Sequence, residues 1–184
     1  MPRTAADYPP KGHKRRPAWS SVNSGVNGMK IAWKHLGIAL AIPLLVGGAS
    51  ALTTGQSMER YAMLRQPPLS PPGWLFPVVW TALFLLMGLS SYLVWTSGGQ
   101  AEAVRRALTL YGVQLAVNFL WPILFFNLGA YLLAMVWLVL LWGLIGATML
   151  AFRRLSVKAG WMLAPYLAWV TFAGYLNLGV YLLN

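Results

Sequence analysis

The sequence predicts an all-α membrane protein: a five-transmembrane-helix bundle with one long loop between its first and second helices. Three observations carry that prediction. Hydrophobic residues make up 58% of the 184-residue chain and charged residues only 9%, too apolar a balance for a soluble domain of this size. Five apolar runs, at about 31–54, 74–96, 105–126, 128–152 and 159–183, each reach the length of roughly 20 residues that carries a helix across a bilayer. Lys and Arg collect at the ends of these runs, with seven in residues 1–34, two at 105–106 and three at 153–158, against only Arg60 and Arg65 in the long loop.

The net charge of +11 is therefore the charge of a positive-inside membrane protein, and it argues against a nucleic-acid partner. It places the N-terminus in the cytoplasm and the C-terminus outside, in a bacterial inner membrane. Residues 1–29, rich in Pro, Ser, Asn, Gly, Lys and Arg, are expected to be a disordered basic tail ahead of the 30–184 transmembrane domain. Met29 offers a second start. The first run also imitates a cleavable leader, with Lys30 and Lys34 before an apolar stretch and Ala49-Ser50-Ala51 after it, but its length suits a retained span better. Its small residues, Gly47 to Ala51, let another helix approach closely.

Loop one runs from Gly55 to Gly73 and ends in a proline cluster. In Pro67–Trp80, PPLSPPGWLFPVVW, five of fourteen residues are proline, so the part before Trp74 is expected to be a stiff, extended connector. Pro77 then falls in a first helical turn, where a missing N–H costs nothing. The later links are short: Gly98-Gly99 before the third span, Asn127 to Gly129 before the fourth, and 153–158 before the fifth.

The chemistry available in the spans is aromatic and amide. The three acids, Asp7, Glu59 and Glu102, fall outside the apolar runs, which argues against a proton-coupled carrier and against carboxylate catalysis. The chain has no cysteine, and its two histidines, His13 and His35, make no ligand cluster, so neither a metal nor a required cofactor is expected. Of ten tryptophans, Trp33, Trp74, Trp95 and Trp161 sit where an interfacial belt explains them. Trp80, Trp121, Trp137, Trp142 and Trp169 lie deeper, where each indole N–H wants a partner.

Helical spacing sorts the deeper residues into faces. Tyr111, Gln114, Asn118, Trp121 and Phe125 share one face of the third span; Tyr166, Trp169, Ala173 and Asn177 share one of the fifth; Trp80, Phe84, Met87 and Ser91 share one of the second. Trp80 lies about 9 Å and Trp169 about 15 Å along their spans at 1.5 Å per residue. Such stripes serve helix packing more often than a pocket, and the Gly143/Ala147 pair hints at close packing or a homodimer just as generally.

Three motifs in order narrow the choice. W-x-F-P-x-x-W (Trp74, Phe76, Pro77, Trp80), Q-x-x-x-N-x-x-W (Gln114, Asn118, Trp121) and P-Y-x-x-W-x-x-x-A-x-x-x-N (Pro165, Tyr166, Trp169, Ala173, Asn177) together resemble the tryptophan-rich sensory protein and translocator protein family, also called the peripheral benzodiazepine receptor family. The resemblance covers about Ile31 to the C-terminus. It implies a bacterial receptor or translocator for porphyrins, haem-pathway tetrapyrroles and isoquinoline- or benzodiazepine-like molecules, with cholesterol bound in animal members. The implied pocket takes Trp80, Phe84, Gln114, Asn118, Trp121, Tyr166, Trp169 and Ala173, covered by Tyr61, Pro71 and Trp74 of the loop one region.

Some bacterial relatives are associated with light- and oxygen-dependent porphyrin breakdown, which would make Trp80 and Trp169 catalytic; a non-catalytic membrane scaffold is the third reading. Arg60 and Leu69 stand where the family often has tryptophan, making the lid less aromatic and offering Arg60 to a propionate. The sterol motif fails because no base follows Tyr181.

Overall fold

The computed structural model describes residues 31–184, so the expected basic tail lies outside the described residues. Five long helical stretches cross the bundle, matching in number and apolar character what a bilayer requires. The first is α1 (Trp33–Thr54), followed by a 3₁₀ turn (Gly55–Ser57) and a short helix α2 (Met58–Met63) inside loop one. Then come α3 (Leu75–Trp95), α4 (Ala101–Pro122), α5 (Tyr131–Leu155), and a broken fifth stretch made of α6 (Val157–Met162) and α7 (Ala164–Leu183).

Two prolines set where the backbone departs from a regular helix. Pro122 brings no N–H to the turn below it, and the chain passes into a π-helical turn over Ile123–Asn127, closed by the Leu128 N–H on the Ile123 carbonyl at 3.1 Å. Gly129, at φ +61°, then reverses the chain, so α5 begins at Tyr131 and not at the 128 expected from apolarity. Pro165 similarly has no N–H to donate to the Trp161 carbonyl. The fifth stretch breaks at Leu163, and Pro165 sits in the first turn of α7.

Small residues bring the helices together. A Cβ on Gly88 of α3 would lie 2.8 Å from the Ala39 carbonyl oxygen of α1, and one on Gly47 of α1 would strike the Phe84 ring. Both contacts need glycine. At the other side, Gly160 of α6 lies against the Arg153 backbone of α5, the turn between them being capped by Ser156, whose hydroxyl accepts from the Ala159 N–H. Ser90 of α3 donates to the Ala159 carbonyl at 2.7 Å and ties α3 to α6. By contrast, the α3 and α7 backbones hardly approach one another, and large rings fill the distance between them.

Candidate functional site

At the centre of the bundle one phenol holds two helices. Gln114 and Asn118, on successive turns of α4, each donate an amide N–H to the Tyr166 hydroxyl of α7 at 2.7 Å. All three are buried. Their i, i+4 spacing puts both amides on one face, and the hydroxyl's two lone pairs accept one bond from each. Two neighbouring polar atoms, the Tyr111 hydroxyl and Gln114 Oε1, are buried with no hydrogen-bond partner.

The deeper indoles divide by what their N–H does. Trp121 donates to Asn177 Oδ1 at 3.4 Å, Trp137 to the Val117 carbonyl at 2.8 Å, and Trp142 to Thr171 Oγ1 at 2.9 Å. Asn177 in turn donates to the Tyr131 carbonyl at 2.8 Å, so Trp121 and Asn177 bind α4, α5 and α7 together. Trp80 and Trp169, by contrast, make no hydrogen bond among the described residues. They make ring contacts: Trp80 with Tyr166 at 6.1 Å and with Phe84 at 5.6 Å, and Trp169 with Phe76 at 6.0 Å. Ala173, one turn beyond Trp169, is buried.

Phe76 joins the site although its sequence pattern marks only the start of a helix. Its ring touches both Trp169 and, at 6.3 Å, Tyr61 of α2. Tyr61 is buried against Phe125 and Phe126 of the π-helical turn, at 5.9 and 5.5 Å. Burial there pushes its phenol above the ordinary tyrosine range, the contact with Ser70 pulling the other way. Pro71 is half-buried, whereas Trp74 is 67% exposed at the foot of α3 and turns away from the core. The Arg60 side chain, the candidate propionate partner, lies outside the described residues.

A cavity of about 160 Å³ opens under α2, walled by Tyr61, Phe125, Phe126 and Tyr131 with Ser57 and Asn127 beside them. A wider groove of about 700 Å³ lies at the opposite end of the bundle, between the close of α3 and the start of α4. Neither is lined by Trp80, Asn118, Trp169 or Ala173; Trp80 and Asn118 instead meet Tyr166, and Trp169 meets Phe76 and Phe172. Among the described residues no group of His, Asp or Glu is placed to hold a metal.

Five apolar spans, helix contacts made by glycines, and buried amides that donate across helices define a multi-pass integral membrane protein with an aromatic and amide centre. Residues 39–182 match the model of the TspO/MBR family, and the chain belongs to that family. It is 41% identical over 150 residues to the tryptophan-rich protein TspO of Chlorobaculum tepidum, covering 81% of this chain and 95% of that one. It is 41% identical to the translocator protein of Bos taurus over 138 residues, 74% of this chain and 82% of the relative. Protein CrtK of Rhodobacter capsulatus is 41% identical over 124 residues, 67% of this chain and 78% of its own length.

Proposed function

We propose that the chain binds flat, largely apolar tetrapyrrole-type ligands, and drug-like molecules of similar shape, between α3, α4 and α7, with loop one as the cover. The observation that carries this reading is the division among the indoles. Three deep tryptophans commit their N–H to neighbouring helices, while Trp80 of α3 and Trp169 of α7 make no hydrogen bond among the described residues and pack only through their rings where the two backbones stand apart. An uncommitted indole N–H in hydrocarbon favours a ligand acceptor. The names of relatives, translocator protein and tryptophan-rich protein, agree with a receptor or carrier but name no ligand.

Size then dictates a step. Pockets for such ligands run to about 300–1,000 Å³, and the cavity of about 160 Å³ beneath α2 is not lined by Trp80 or Trp169, so a tetrapyrrole enters between α3 and α7 only after Phe76 parts from Trp169 and from Tyr61 of loop one. The cover must lift for binding. The same reading sets the protein in a bacterial cell membrane with its N-terminus cytoplasmic and loop one outside, following the Lys and Arg bias.

The test is a titration of purified protein with protoporphyrin IX in the dark, read by tryptophan quenching. Saturable quenching is expected, weakened about tenfold by Trp169→Phe, which loses the larger stacking face and the N–H. Absence of saturation, or equal affinity in wild type, Trp80→Phe and Trp169→Phe, overturns the reading. Repeating it under light with oxygen separates photochemistry from binding, since breakdown removes the Soret band and binding alone preserves it.

A further inference from the structure

We infer that the groove between the end of α3 and the start of α4 seats one anionic phospholipid of the surrounding bilayer. The groove holds about 700 Å³ and has two kinds of wall. Trp95, Val104 and Leu108 make it apolar, while Arg105 and Thr109 bring a guanidinium and a hydroxyl to it, above the Gly98-Gly99 link. From Arg105 to Thr109 the wall drops about 6 Å along α4 at 1.5 Å per residue. That is the passage from headgroup level to the first acyl carbons, with an interfacial tryptophan at the boundary.

Charge selects the occupant. This end of the bundle carries Lys34, Arg105, Arg106, Arg153, Arg154 and Lys158, and the acid among the described residues here is Glu102. Glu102 accepts from Arg105 at 2.5 Å and from Arg106 at 2.7 Å, so the three side chains sum to one positive charge. Both pairs are exposed, and exposed pairs hold their partners weakly enough for a lipid phosphate to share the guanidinium. A soluble anion would have no use for the Trp95 and Leu108 wall. A second copy of this chain, or the basic segment 1–29, would bring cations against cations.

Native mass spectrometry of the full chain, with phosphatidylglycerol or phosphatidylcholine added to the detergent, tests the site. One phosphatidylglycerol is expected to be retained in preference to phosphatidylcholine. Arg105→Gln should weaken that retention about fivefold, the worth of one basic side chain at a membrane surface. Arg106→Gln removes the same charge from a neighbour outside the groove wall and should leave retention unchanged. Leu108→Trp, which fills the groove without altering charge, should abolish the preference. Equal loss in the two arginine variants means diffuse surface charge and overturns the inference, as does equal retention of the two lipids. A dimer disrupted by Leu108→Trp with no lipid retained overturns it in favour of a second copy. The two arginines lie on an exposed helical turn, so the contrast between their variants decides the matter even if the tryptophan variant does not fold.

Discussion

Tyr166 accepts two amide bonds through one oxygen, so its loss is felt twice. Tyr166→Phe leaves Gln114 Nε2 and Asn118 Nδ2 buried without a partner, and an unsatisfied buried group costs about 1–3 kcal/mol. Hydrogen bonds between membrane helices measure at the low end of such ranges, so a loss of about 2 kcal/mol is expected, read as a lowered melting temperature in detergent. Tyr111→Phe makes the contrasting prediction. Its hydroxyl is buried without a partner, so removing it should leave the melting temperature unchanged or raise it. A drop equal to that of Tyr166→Phe would mean that the Tyr111 hydroxyl has a partner after all, the nearby Ser91 hydroxyl being the one within reach. Phe76, Trp169 and Tyr61 form the other chain of contacts at this scale, and it runs from loop one to the deeper rings.

Loop one is held as an element, and its clasp lies on α7. The Asn184 side chain accepts from the Arg65 N–H and donates to the Arg65 carbonyl, both at 3.0 Å, imitating a strand pair with a single amide. Tyr175 donates to the Pro68 carbonyl at 2.8 Å, and Gly179 makes room for Pro67, whose Cβ would lie 2.5 Å from any Cβ placed there. Asn184→Ala removes two bonds worth about 1 kcal/mol each, which raises the opened population more than tenfold. Trypsin cleavage after Arg65 should speed up by that factor while cleavage elsewhere is unchanged; an unaltered rate would place the clasp elsewhere. Little of this clasp is legible in the sequence. The spans can be read because bilayer thickness imposes length and apolarity, and the faces of α4 and α7 because side chains recur every three or four residues. A six-residue helix such as α2 shows no such period, and the turn at Leu69, held at φ 66°, has no glycine to announce it. Pro122 and Pro165 are visible, yet whether a proline bends, tightens or breaks a helix depends on what packs beside it. Similarly, spacing places Gln114, Asn118 and Tyr166 on inward faces. That all three meet at one oxygen is a fact of tertiary structure, joining positions 48 and 52 residues apart.

The charge pattern predicts an orientation for the whole molecule. Because two and four spans precede them, the 97–100 and 155–157 links share an end with the start of α1, in keeping with the His35–Trp95 contact at 4.5 Å. Loop one and the π-helical turn share the other, joined by Ser57 Oγ donating to Asn127 Oδ1 at 2.8 Å. The basic side chains crowd the first end, and the bias toward cytoplasmic Lys and Arg is strongest in short links of this kind. With no cysteine in the chain, single substitutions report the orientation directly. Met63→Cys, at a loop one position 80% exposed, should react with a membrane-impermeant maleimide on intact bacterial cells. Gln100→Cys, exposed in the link before α4, should react only after the membrane is opened. The reverse pattern would turn the protein over, with loop one in the cytoplasm and the Arg105 groove at the outer leaflet. Equal labelling of both sites in intact cells would mean a mixed population, and twelve basic residues against two make that outcome the hardest to reconcile with the sequence.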